Sequence, residues 1–279
     1  MILDTHVHFW KYDPVRDAWI DGTMGAIRRD FGPADLRQAS RGLSVEGYIA
    51  VQADTSVAET DFLLGLAAAN PEIKGVVGWL DLCGPGLAAQ LEQYTENPAL
   101  KGLRHIVQAE PAGFMDRPDF REGIAALRAY GLTYDILIYA PQLEEASRLV
   151  QAFPDQAFVL DHLGKPNVRE GRFEEWKTGL EKLAVAPNCC CKLSGLITEA
   201  HWERWTAREL FPYLETALEC FGPERLLFGS DWPVCLLAGD YGQVLGLVRD
   251  FLSQLSPSEQ ALILQGNARR VYQLNVYQP

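Results

Sequence analysis

His6 and His8 stand two residues apart at the end of an apolar run, in ILDTHVHFW at positions 2–10. In an extended strand, residues i and i+2 point to the same side, so the two imidazoles can face one point. Neutral imidazole nitrogens placed in that way can share a divalent ion, and they suit zinc well. Two structural histidines would produce the same spacing, so the pair gains meaning from what joins it. Asp231 lies between Ser230 and Trp232 at the end of RLLFGSD, a carboxylate in an apolar setting that needs a partner to offset its desolvation. His162 lies in LDHLGKP. His6, His8, His162 and Asp231 together make a donor set for one metal ion. The bland alternatives are a His162 bonded to its neighbour Asp161 and an Asp231 that caps a loop. Arg104, in KGLRHIVQ, either bridges carboxylates for stability or offers fixed charge to a developing oxyanion.

Such groups are far apart in the chain and must be gathered by a fold. Eight short β-rich runs recur, at Ile2–Thr5, Gly47–Val51, Lys74–Leu80, Lys101–Val107, Leu132–Ile138, Ala157–Asp161, Cys189–Leu193 and Arg225–Phe228. Helical signals separate them. Ser56 with Glu59, Thr206 with Glu209 and Ser256 with Glu259 read as capped helix starts, the last with Pro257 at the first helical position. ANP at 69–71, AYG at 129–131 and FGP at 221–223 read as stops. The strands are mostly continuous apolar runs, as in a parallel sheet buried on both faces. Strand–helix alternation of this kind predicts a (β/α)8 TIM barrel. An open doubly wound sheet is the alternative, but no GxGxxG follows the first strand. No repeat or low-complexity linker divides the chain, so one domain over residues 1–279 is expected. Its one unusually long connection, residues 9–44, is expected to cover the site.

A barrel carries its chemistry at the C-terminal strand ends, and polar residues cluster there. The successive ends supply His6 and His8, Gln52 and Asp54, Trp79 and Asp81, Arg104 and His105, then Asp135 and Tyr139. Asp161, His162 and Lys165, Lys192 and Ser194, and Ser230 and Asp231 complete the circuit. Four of the five histidines fall at these ends, which random placement would seldom achieve. Cys189, Cys190, Cys191 and Lys192 read as packing.

Composition narrows the partners. A formal net charge of −12 repels phosphate backbones and anionic lipid, so neither nucleic acid nor membrane is expected as a partner. No apolar run is long enough to span a bilayer. Asp4 and the histidines interrupt the only N-terminal apolar stretch, so no secretory leader is expected and the cytoplasm is the expected location. The six cysteines include three in a row and no CxxC pair, which fits buried thiols better than disulfides. No residue pattern fixes an oligomeric state.

DTHVHFW, VGWLDL, KGLRH, DHLGKP, CKLSGL and FGSDWPVC occur in that order across nearly the whole chain. The ordered set resembles the lactonase-type branch of the amidohydrolase superfamily, metal-dependent-hydrolase barrels that include the sugar-lactone hydrolases of L-fucose and L-rhamnose breakdown. The resemblance implies hydrolysis of a small-molecule sugar lactone, L-fuconolactone-like, to its open-chain acid. It assigns general-base work to Asp231, metal binding or carbonyl polarisation to His6, His8 and His162, and a substrate contact to Arg104. Binuclear members carry a carboxylated lysine at the end of strand four, where this chain has Arg104 and His105. One divalent ion, zinc first, is therefore the expectation, with metal-independent catalysis the alternative. Trp10, Trp19 and Trp232 offer flat faces to a sugar ring, and Gln52, His105, Tyr139, Lys165 and Glu199 are candidate polar contacts. Three other readings compete: a nonoxidative decarboxylase, a phosphoesterase or amidase on the same barrel, and a non-catalytic binding barrel.

Overall fold

The computed structural model describes residues 1–274; the last five residues of the expected 1–279 unit lie outside that range. One parallel sheet holds eight strands in chain order: β1 Ile2–Val7, β2 Val45–Val51, β3 Ile73–Gly78, β4 Leu100–His105, β5 Thr133–Ile136, β6 Phe158–Leu160, β7 Cys189–Leu193 and β8 Leu226–Phe228. The sheet curls round so that its edges meet. Val7 bridges Trp232 in parallel, the His8 N–H donates to the Trp232 carbonyl at 2.7 Å, and the Asp231 N–H donates to the His6 carbonyl at 2.9 Å. The Thr5 hydroxyl donates to the Phe228 carbonyl at 2.7 Å. This is the (β/α)8 barrel that strand–helix alternation predicts.

Helices occupy the connections: α1 Pro33–Ala39, α2 Val57–Ala69, α3 Leu87–Thr95, α4 Pro118–Leu127, α5 Leu143–Ala152, α6 Phe173–Ala184, α7 Leu196–Glu199, α8 Ala207–Phe221 and α9 Tyr241–Leu252. Two short helices follow, α10 Pro257–Ala261 and α11 Asn267–Val271, joined by a π-helical turn. Ser256 and Glu259 form the full reciprocal cap at α10. At α2 the cap is only half made: Ser56 accepts from the Glu59 N–H at 3.2 Å, while the Glu59 carboxylate turns away to accept from the Ala53 N–H at 3.0 Å.

Strand limits depart from the sequence reading at polar ends. The fourth strand stops at His105 rather than Val107, because Val107–Ala109 winds into a 3-10 turn. The first runs on to Val7, with a register shift against β2 between Asp4 and Val7. That shift matters, because unbroken alternation from inward Leu3 would turn residues 6 and 8 outward; with it, His6 and His8 share the inner face.

Leu3, Ile49, Val51, Val77, Val159, Cys190 and Leu227 pack inside the barrel with Ala268, Val271, Tyr272 and Leu274 from the C-terminal segment. Each fully buried aliphatic side chain contributes roughly 1.5–3 kcal/mol. One step further along each strand, the interior turns polar: Val159 is followed on the same face by Asp161, and Cys190 by Lys192 and then Ser194.

The 9–44 segment is not structureless. Trp10 and Phe31 exchange backbone hydrogen bonds at 3.1 and 2.9 Å, which closes its base. Gly25–Ile27 lies against Val234–Leu237, just after β8, and Ile20, Ile27 and Phe31 are buried.

Candidate active site

Three imidazoles face one carboxylate oxygen. Asp231 Oδ1 lies 3.4 Å from His8 Nε2, 3.9 Å from His6 Nε2 and 3.9 Å from His162 Nε2. All four residues are buried. Two glycines make the approach possible. A Cβ on Gly195, which also has φ +65°, would sit 2.6 Å from His162 Nδ1, and a Cβ on Gly229 would sit 2.8 Å from His6 Cβ. Asp231 itself has φ +57°, a left-handed conformation that aspartate tolerates better than most residues. His162, Leu163, Gly164 and Lys165 form a run of positive φ after β6, and backbone strain of that kind gathers at functional sites.

The network behind the rings fixes their orientation. His8 Nδ1 donates to the Val51 carbonyl at 2.8 Å, so in the neutral ring Nε2 presents a lone pair. His162 Nδ1 lies 2.8 Å from the Ser194 hydroxyl. His6 Nδ1 lies 3.3 Å from Asp161 Oδ1 and 3.2 Å from Lys192 Nζ. Arg104 donates to Asp161 Oδ2 at 2.9 Å, sits 3.2 Å from His6 Nε2, and donates to both the backbone and the side-chain oxygen of Gln52. Behind this, the Asp4 carboxylate accepts from the His6 and Ser230 N–H groups at 3.0 and 2.9 Å and from the Tyr241 hydroxyl at 2.8 Å. It ties the first strand to the turn after the last.

Burial sets the protonation states. It lowers His162 to about 4 and drives His6 well below the usual imidazole range, so both rings are neutral near neutral pH. Burial pushes the Asp231 carboxyl up, but its interactions with His162, His8 and the Lys165 charge outweigh it and hold the group below its ordinary value. Asp231 is therefore an ionised carboxylate facing the neutral rings of His6 and His162. In Asp161, Lys192, His6 and Arg104 likewise overcome burial and pull the carboxyl well down.

The donor atoms fit a divalent cation. His6 Nε2 and His8 Nε2 approach to 3.1 Å, and two lone pairs at that distance repel unless a proton or cation lies between them. His6, His8 and Asp231 place one donor atom each within 4.8 Å of one another. His6, Asp161 and His162 form a second, overlapping group, and His162 Nε2 lies as near Asp231 Oδ1 as His6 Nε2 does, at 3.9 Å.

Several expected substrate contacts are engaged elsewhere. Trp232 is 1% exposed and packs in T-shaped contact with Phe9 and Phe31; next to inward Asp231, alternation points it outward. Trp10 is buried, donates its indole N–H to the Arg29 carbonyl at 2.8 Å, and makes T-shaped contacts with Trp19 and Phe31. Trp19 is 44% exposed. His105 stacks on Phe114 at 4.9 Å, accepts from the Trp79 indole and pairs with Glu110. Gln52 is fully buried, with both ends of its amide on Arg104. Tyr139, Lys165 and Glu199 do come together. Lys165 Nζ lies 5.4 Å from the Tyr139 ring centroid and 3.9 Å from Glu199 Oε1.

Lys192 corrects the packing assignment. It has no exposed surface, and its ammonium lies 2.6 Å from Asp135 Oδ2 and 2.9 Å from Asp161 Oδ1. Tyr272 donates to Asp135 at 2.8 Å from below. Parity was the available signal, since residue 192 shares the inward face with Cys190 and Ser194.

A (β/α)8 barrel with its polar groups gathered at the C-terminal strand ends is the architecture of an enzyme. A family model described as Amidohydrolase matches residues 3–274, and the chain belongs to that family. It is 39% identical to the L-fucono-1,5-lactonase of Burkholderia multivorans, over 98% of this chain and 96% of that one. A second L-fucono-1,5-lactonase, from Burkholderia ambifaria, is 34% identical over 98% and 96%. Among solved structures, an amidohydrolase from Burkholderia multivorans with bound zinc superposes with a TM-score of 0.95 at 39% identity, covering 99% of this chain and 100% of that chain.

Proposed function

We propose that the protein hydrolyses a sugar lactone of the L-fucono-1,5-lactone type to the open-chain acid. The observation that carries this reading is the convergence of three imidazoles on the ionised Asp231, in a chain 39% identical to an L-fucono-1,5-lactonase.

Asp231 Oδ1 faces the rings, and Oδ2 receives no hydrogen bond among the described residues. Oδ2 takes a proton from a water as that water attacks the lactone carbonyl carbon. His162, neutral and held by Ser194, stands on the side where the carbonyl oxygen gains charge. Arg104 acts from behind, keeping His6 aligned and balancing Asp161. When the tetrahedral intermediate collapses, Asp231 returns its proton to the departing ring alkoxide. An ester leaving group needs less help than an amine, so one carboxylate can serve both steps. His6, His8 and Asp231 would hold a divalent ion, zinc being the first choice, which when bound supplies Lewis-acid polarisation and a more acidic water. Residues 9–44 would form part of the same unit and cover the mouth.

The test is a panel of sugar lactones offered to purified protein with and without a chelator, following both acid release and carbon dioxide. Acid release from a sugar lactone without carbon dioxide is the expected result. Carbon dioxide evolution from an aromatic acid, with every lactone inert, would replace lactone hydrolysis by decarboxylation. Full activity after complete metal removal would favour the metal-free version.

A further inference from the structure

Lys165 and Glu199 are an ion pair that does not close. Their side chains are only 18% and 21% exposed, yet the ammonium and carboxylate stand 3.9 Å apart, about 1 Å beyond a charge-assisted hydrogen bond. Among the described residues, neither charged head has another side-chain hydrogen bond. The gap is set by the loops that carry them. Lys165 ends the positive-φ run that begins at His162. The Arg169 N–H donates to the Glu199 carbonyl at 3.1 Å, and the Arg169 guanidinium donates to the Ala200 carbonyl at 3.1 Å. These bonds stitch the loop after β6 to α7 and fix the spacing. On its other side Lys165 rests on the Tyr139 ring, itself 46% exposed.

We propose that Lys165 and Glu199 form a subsite for one hydroxyl group of the substrate, bridged between them over the face of Tyr139. A hydroxyl is the group that satisfies both ends, because its oxygen accepts from the ammonium while its hydrogen is donated to the carboxylate. A ligand carboxylate would meet the like charge of Glu199, and a ligand ammonium that of Lys165. The pair therefore selects a neutral, hydroxylated lactone over one bearing a carboxylate beside the ring. Placement beside the reacting centre supports this: Lys165 ends the turn that His162 begins, and Glu199 ends the helix that follows Gly195, the glycine packed against the His162 ring.

This subsite rests on the lactonase reading, so the experiment separates the two. kcat and KM are measured for the wild type, Glu199→Gln and Lys165→Met on a sugar lactone and on its single-deoxy analogues. On the parent lactone each variant is expected to lose roughly 10- to 100-fold in kcat/KM, mostly through KM, as for a hydrogen bond to a charged group. One deoxy analogue is expected to be a poorer substrate for the wild type by a similar factor, and on it the variants lose nothing further. A loss of equal size on every analogue, or no loss on the parent, overturns the subsite while leaving the lactonase reading standing. A wild type that opens no sugar lactone overturns both.

Discussion

A lysine without solvent contact, Lys192, touches groups from three other parts of the barrel: Asp135 on β5, Asp161 after β6 and His6 on β1. Buried charges are costly unless each is answered, and here two carboxylates share one ammonium. The sharing is unequal. Burial raises Asp135 despite Lys192, whereas Lys192, His6 and Arg104 together carry Asp161 far down. Lys192→Met is expected to destabilise the protein by about 3–5 kcal/mol, because it leaves two buried carboxylates facing each other. Adding Asp135→Asn should recover a large part of that loss. Denaturant titration of the single and double variants reads both numbers, and simply additive losses would show that the two groups are not coupled. The lysine was legible as polar but not as paired, since its partner Asp135 lies 57 residues away and nothing local announces it.

At the scale of elements, the turns after the strands do the positioning. Gly195 precedes α7, and its missing Cβ leaves the space that the His162 ring fills. Gly195→Ala combines left-handed strain of about 1–2 kcal/mol with a direct clash. The expected outcome is a melting temperature lower by several degrees and a kcat lower by more than tenfold; unchanged kcat would mean that the placement of His162 is immaterial. At the start of α2, burial lifts the Glu59 carboxyl to about 7. Its folded-state value lies above the unfolded one, near 4.3, so the folded chain binds the proton more tightly between those limits. The stability contribution is full below about pH 4.3 and is lost as pH rises through 7. Glu59→Gln keeps an acceptor for the Ala53 N–H and removes the charge. It should melt higher than the wild type at about pH 8, with the difference gone below about pH 4; a difference independent of pH would place the effect elsewhere.

For the whole molecule, the barrel was readable because eight apolar runs and their capped helices repeat the same unit, and closure then brings Asp231 back to β1. That His6, His8, His162 and Asp231 lie together follows from this topology more than from any local motif. Side-chain direction was harder to read. Trp232 and His105 sit one residue from inward groups and so point outward, into aromatic clusters, where proximity in sequence suggested contact with a ligand. The described residues include no helix long and apolar enough to cross a membrane. What the assembled barrel offers is a single carboxylate with three rings around it. The most direct measurement is the initial rate of acid release from L-fucono-1,5-lactone by the wild type and by Asp231→Asn, each shown by circular dichroism to be folded. Expected is rapid hydrolysis by the wild type and a loss of about 10²- to 10⁴-fold in kcat in the variant. Rates within a few-fold of each other would contradict a mechanism built on Asp231.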